Sequence, residues 1–300
     1  MEDKKKISFF SKNETTCPVC NYSFKREEML TGRGRLIAKD ITPELRRTYE
    51  ENTKFGEVHP LAYFITVCPA CWYASPQRDF NNISPNNIDL VSNLIEYRRK
   101  IIQEIFAPII IDFEQERNLY SGAASYILSI SCYSFFPPKE SPTIKKGISS
   151  LRAAWLFGDM AAKVLKENKK ELYERFLKIQ EIMYEKARNY YNSAYDLALK
   201  GKEKLDGVDL GPDIDKNYGY DGFIYIMNYL NYKMSYKEED IVKKAEIYRE
   251  IKKTIGKIFG IGKASKEKPG PLLNIVRDLY DEVSSHLQEI EESVNLEIEE

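Results

Sequence analysis

Residues 59–74 read His-Pro-Leu-Ala-Tyr-Phe-Ile-Thr-Val-Cys-Pro-Ala-Cys-Trp-Tyr-Ala. Leu61, Tyr63, Ile65 and Val67 alternate with Ala62, Phe64 and Thr66, a period of two that predicts a strand running into the turn Cys68-Pro69-Ala70-Cys71. The same spacing occurs at Cys17-Pro18-Val19-Cys20, with residues 21–67 between the two pairs. A two-residue gap inside a tight turn lets both sulfurs face one ion while successive backbone N–H groups donate to the thiolates, and two such turns complete a tetrahedron. Each proline fixes φ and pre-forms its turn without removing an N–H that the later residues supply. The donor set predicts structural zinc on Cys17, Cys20, Cys68 and Cys71. Iron in a rubredoxin-like site is the alternative, because ligand type alone does not separate the two metals. Four thiolates close the coordination sphere and leave no open position for Lewis-acid catalysis.

Residues 22–24 suit a short strand leaving the first turn. Thr42-Pro43 ahead of residues 44–49 has the form of an N-capped helix with proline at its first position. The residue after each second cysteine favours a left-handed backbone; Asn21 tolerates that conformation, and Trp72 adopts it less readily. His59 beside Pro60 is read as a turn or strand-entry residue, since four sulfurs already saturate the metal.

The chain has 300 residues, 43% of them apolar, with 45 basic and 46 acidic side chains. A net charge of −1 argues against binding nucleic acid or membrane through overall charge. Only two histidines, His59 and His286, are available as general bases near neutral pH. Residues 23–47 hold a slight basic surplus around Gly32-Arg33-Gly34-Arg35, and the final twenty residues carry eight acids with no Lys or Arg. The apolar run at residues 7–10 is too short for an export signal. No segment approaches the length of a membrane helix. These features predict a cytoplasmic protein, in which paired cysteines are metal ligands or redox thiols rather than disulfides.

From Ser84 onward the pattern is helical. Ser84-Pro85 opens a stripe of Ile88, Val91, Leu94, Ile95, Ile102, Ile105 and Phe106 that stops before Pro108. Further helices are expected at about residues 113–136, from 142 toward Gly158, 170–200, 222–234, 237–259 and 272–294, with a loop at 201–220 and a linker at 260–271. Ala187, Tyr191 and Ala194 follow the small–aromatic–small spacing of a tetratricopeptide (TPR) second helix; Ala124, Leu128 and Ser131 match it loosely, and Ile241, Ala245 and Tyr248 keep the spacing with the sizes interchanged. An ordinary helical bundle with alanines at close contacts is the competing reading. Cys132 reads as a small core hydrophobe. The run from Asp213 to Gly219 resembles the start of a calcium loop but has Tyr218 where glycine is required. No P-loop, dinucleotide fingerprint or serine-hydrolase elbow is present.

The expected fold class is α+β, mainly α: a small β-rich zinc-ribbon or knuckle domain at residues 1–84, then a TPR-like antiparallel helical array at 85–300 ending in an acidic tail. The two Cys-Pro-x-Cys motifs, the stretch from His59 to Ala74, and Leu151-Arg-Ala-Ala-Trp-Leu156 resemble the bacterial domain-of-unknown-function family DUF2225 over most of the chain. Trp72 departs from the glycine usual in that family. The resemblance implies zinc binding and a TPR-like scaffold, without an established activity. The expected function is therefore a non-enzymatic scaffold for a protein or peptide, with a zinc-ribbon nucleic-acid binder as the alternative and a rubredoxin-like iron electron carrier as a weaker third.

Overall fold

The computed structural model describes residues 6–51, 53–214, 218–259 and 270–299. The protein is α+β and mainly α, and among the described residues three small antiparallel strand pairs lie ahead of the helices. Strand β1 (Ser8–Thr16) pairs with β2 (Ser23–Met29), β3 (Ala38–Ile41) with β4 (Arg47–Tyr49), and β5 (Ile65–Val67) with β6 (Ala74–Pro76). The Thr16↔Ser23 and Val67↔Ala74 registers place each cysteine turn at the tip of its own hairpin. The arrangement is a two-hairpin ribbon.

Two local expectations are corrected. Residues 61–64 are not strand: Pro60–Tyr63 form one 3-10 turn, started by Pro60, and the extended chain begins at Ile65. Apolar alternation misled because Leu61 and Ala62 are both buried in this turn. Residues 42–49 form no helix either. The Leu45 N–H donates to the Thr42 carbonyl at 2.9 Å and Thr42 N–H to the Arg46 carbonyl at 2.8 Å, with Leu45 left-handed at φ 57°. Thr42-Pro43 therefore opens a hairpin turn, a use of proline that shares its sequence signature with a helix start.

By contacts the chain divides into Met1–Ile41 with Arg47–Asp206, and Thr42–Arg46 with Gly207–Glu300. The division does not fall at the expected residue 84, because the ribbon shares a core with the helices after it. Cys17, Cys68, Cys71, Tyr73, Phe80, Val91, Cys132 and Phe136 form one buried cluster.

In the first unit α1 (Ile88–Asn93) and α2 (Ile95–Phe106) carry the expected stripe. Helix α3 (Leu119–Cys132) starts later than expected, at a capping box in which the Asn118 side chain accepts from the Tyr120 and Ser121 amides. Helix α4 (Pro142–Lys166) continues past Gly158. That glycine is not a stop: a Cβ there would lie 2.4 Å from Nε2 of Gln180 on α5 (Lys170–Leu199). Gly147 likewise faces the Tyr191 ring, which is buried with Ala187 and Ala194. The α4–α5 turn closes on left-handed Asn168, with Lys169 N–H to the Val164 carbonyl at 3.0 Å, and α5 ends in the same way at Gly201. Phe106, Phe157 and Phe176 fill the space between α2, α4 and α5, with ring centroids 5.6–6.3 Å apart.

Gly122 on α3 lies against the 3-10 turn, and a Cβ added there would sit 2.7 Å from Ala62 Cβ and 2.8 Å from its Cα. Glycine to alanine inside a helix ordinarily stabilises by about 1 kcal/mol. Here backbone must move, so Gly122→Ala is expected to destabilise by about 1–3 kcal/mol in urea denaturation. A stabilised variant would mean that the two segments are not in contact.

In the second unit α6 (Gly219–Lys233), α7 (Ile241–Gly256) and α8 (Gly270–Glu299) pack together. Tyr232 stacks on His286, with its Oη 2.9 Å from His286 Nδ1, the Tyr248 ring is tilted against both, and Arg249 pairs with Glu291 at 2.8 Å. The Tyr225 hydroxyl donates to the Pro43 carbonyl at 2.7 Å and Lys233 pairs with Glu44 at 3.0 Å. The expected helix at 237–259 begins at Ile241, behind the Asp240 cap. Residues 260–269 of the expected linker, and residues 215–217 of the calcium-like run, lie outside the described residues. Gly270 and Pro271, also assigned to the linker, begin α8.

Candidate metal centre

Both cysteine turns are built by the same backbone pattern. In the first, Asn21 N–H donates to the Cys17 carbonyl and Cys17 N–H to the Tyr22 carbonyl, each at 2.9 Å. In the second, Trp72 N–H donates to the Cys68 carbonyl at 2.8 Å and Cys68 N–H to the Tyr73 carbonyl at 2.9 Å. Asn21 and Trp72 both take left-handed φ, 60° and 58°. Trp72 thus adopts the conformation for which it is poorly suited, and neighbours hold it there: its ring meets Phe113 edge-on at 5.3 Å and lies 5.9 Å from the Arg99 guanidinium.

The four sulfurs of Cys17, Cys20, Cys68 and Cys71 lie within 4.8 Å of one another. Cys17 Sγ is 3.6 Å from Cys71 Sγ, and Cys20 Sγ is 3.6 Å from Cys68 Sγ. Val19 N–H points at Cys17 Sγ across 3.4 Å. Cys17, Cys68 and Cys71 are buried and Cys20 is partly so. Four soft donors from two matched turns, with an amide directed at sulfur, fit a tetrahedral metal ion and could hold one. Thiols this close cannot all ionise on their own. Hydrogen bonds from Cys68 and Cys71 push Cys17 down to about 4, and the same bonds raise Cys68 and Cys71.

Cys132 is buried beside this centre but is not one of the four; its sulfur accepts from Ala74 N–H at 3.4 Å, and burial pushes its thiol up to about 11. His59 precedes the 3-10 turn, 3.5 Å from Glu57 and 3.9 Å from Asp159, outside the four-cysteine set.

Sequence reasoning missed two arginines on α2. Arg98 Nη2 donates to the Cys71 carbonyl and Nη1 to the Val91 carbonyl, both at 2.8 Å. Arg99 Nη2 donates to the Ala70 carbonyl at 2.8 Å. The signal was present, since Arg98 lies on the buried stripe between Val91 and Ile102. A second buried contact ties the ribbon to the helices: Tyr133 donates to Asp79 at 2.7 Å and Lys145 pairs with the same carboxylate at 2.9 Å.

Behind the ribbon, Glu27 accepts from the Ser8 hydroxyl and, at 2.6 Å, from the Arg117 amide. Burial, reinforced by Glu27, pushes the Tyr63 phenol up to about 12. The unfolded chain ionises near pH 10 while the folded one resists, so this contribution is intact below about pH 10 and is lost between about 10 and 12. Denaturant midpoints measured from pH 8 to 11.5 are expected to fall less steeply for Tyr63→Phe than for the native chain. Equal slopes would contradict the buried environment.

Fold and centre together define a four-cysteine, two-hairpin ribbon carried on a mainly helical body. The chain belongs to the family described as "Uncharacterized protein conserved in bacteria (DUF2225)", whose model matches residues 10–283. A Borreliella burgdorferi protein, described as uncharacterized, is 37% identical over 287 residues, covering 95% of this chain and 99% of its own length. No solved structure matches the chain. Among the described residues no helix is long and apolar enough to cross a membrane.

Proposed function

We propose that the protein is a non-enzymatic, zinc-stabilised scaffold that binds a protein or peptide through its TPR-like helical body. One observation carries the reading: the donor set is four sulfurs on two matched turns, a shell that is complete without substrate or water. Zinc is preferred to iron because three of the four cysteines are buried, which suits a structural ion, and zinc needs no redox partner.

The interaction surface is supported by exposed apolar side chains. Beside the second turn Trp72, Ile109, Ile110 and Ile111 line a groove of about 240 Å³ that reaches buried Ile102, and Ile110 is 89% exposed. Along the α4–α5 hairpin Leu165, Leu177 and Ile182 are also exposed. Tyr191, packed on Gly147 between Ala187 and Ala194, supports the TPR-like reading of this helix pair.

Affinity capture from the source cells, read by mass spectrometry, tests the proposal with the native chain, Cys68→Ser and Ile110→Glu. A partner enriched by the native chain and lost in both variants is expected, with the stability of Ile110→Glu changed by no more than about 0.5 kcal/mol. No enrichment over background would overturn the scaffold reading. Salt-sensitive retention of DNA or RNA at low protein concentration would assign the surface to nucleic acid instead.

A further inference from the structure

We infer that Arg98 is the counter-cation of the metal centre, an inference that rests on the four-thiolate reading above. A divalent ion on four thiolates carries a formal charge of −2, and three of the four cysteines are buried, so water does little to balance it. Arg98 is itself only 2% exposed. Its Nη1 and Nη2 donate to neutral carbonyls, its Nε is buried without a hydrogen-bond partner, and no carboxylate among the described residues pairs with it.

A guanidinium is a fixed cation, and this one lies in the core. Burying such a charge against carbonyls alone is costly. An aliphatic residue would continue the stripe at this position, as Ile102 does one turn on. The cost is offset if an anion lies close by, and Arg98 bonds the carbonyl of a ligand residue, Cys71, in the same core cluster as Cys17 and Cys68. The metal–thiolate group is the anion that this cation fits.

Arg99 differs in kind. It grips Ala70 of the same turn but is half-exposed, pairs with Glu96 at 3.1 Å and lies over Trp72. Arg99 shapes the outer face of the turn, and Arg98 supplies charge from within. Helix α2 therefore does more than cover the ribbon: it delivers the positive charge that lets a dianionic centre sit in a core.

Cobalt(II) titration of the metal-stripped full chain, followed by its thiolate-to-cobalt charge-transfer absorption and by competition with a chromophoric chelator, tests this. Arg98→Gln keeps a donor for a carbonyl and removes the charge; Arg98→Lys keeps the charge and loses the fork. With the positive charge gone the sulfurs give up electron density more easily. Arg98→Gln is expected to bind cobalt about 10–100-fold more weakly, with its charge-transfer band moved to longer wavelength. Arg98→Lys should keep the native band and stay within about threefold of native affinity, an effect well below that range. A purely structural arginine would weaken both variants and leave the band in place. A Gln variant with native affinity and an unmoved band would overturn the inference. If Arg98→Gln does not fold, Arg98→Lys decides: retention of band and affinity supports the counter-cation, and tenfold or greater loss in a folded protein contradicts it. A native chain that takes no cobalt would fail the metal reading itself, a result distinct from either.

Discussion

Cys68→Ser is expected to emerge from purification with less than about a tenth of an equivalent of metal and to lose more than about 4 kcal/mol of stability, the range reserved for loss of a structural ion. Serine preserves the size of the side chain but offers a hydroxyl that stays protonated, so three sulfurs remain around a hole in the tetrahedron. The effect should extend beyond the ribbon. Cys68 shares its buried cluster with Tyr73, Val91, Cys132 and Phe136, so α1 and the C-terminal end of α3 lose packing when the turn opens. Metal analysis and guanidinium unfolding of the same preparation check both parts. A variant that unfolds like the native chain would show that the metal is peripheral to folding.

The second large effect is expected at Asp79→Ala, a loss of about 3–5 kcal/mol. Asp79 is 3% exposed and receives both the Tyr133 hydroxyl and the Lys145 ammonium. Removing the carboxylate leaves Lys145 mostly buried, with Glu140 only at 3.9 Å, and leaves the Tyr133 hydroxyl without its acceptor. Asp79→Asn retains an acceptor for Tyr133 and should cost less than the alanine. Urea midpoints at constant slope measure the difference. Because Asp79 lies before Ser84, and Tyr133 and Lys145 lie on the helical side, a loss under about 1 kcal/mol would argue that ribbon and helices fold independently.

How far the sequence could be read follows from what each signal encodes. The cysteine turns were legible because metal geometry restricts both spacing and residue type, and all four sulfurs come together. The helices were legible from their 3.6-residue stripes, and Gly201 from the left-handed cap it forms. Where one residue serves two purposes, local reading failed. Pro43 fits a helix start and a hairpin turn equally, and only the pairing of β3 with β4 chooses. Gly158 looks like a stop until Gln180 of α5 is placed against it. Strand β1 escaped because its partner β2 lies across the first cysteine turn and its residues are mostly exposed, which removes the apolar alternation. The boundary expected at Ser84 followed a change of pattern, whereas compactness follows contacts such as Arg98 to Cys71, which pattern does not report. At the centre the four clustered cysteines were readable and their supports were not: Arg98 was visible as a charge on an apolar stripe, but its partner is a backbone carbonyl with no sequence signature.

The proposed function requires that Cys17, Cys20, Cys68 and Cys71 together hold one zinc ion. X-ray absorption at the zinc edge on the purified full-length chain, with metal content measured on the same sample, tests it most directly. One equivalent of zinc in a colourless protein, with four sulfur neighbours at about 2.3 Å, is the predicted result. Nitrogen or oxygen in the first coordination shell, or iron with strong visible absorption in place of zinc, would contradict it.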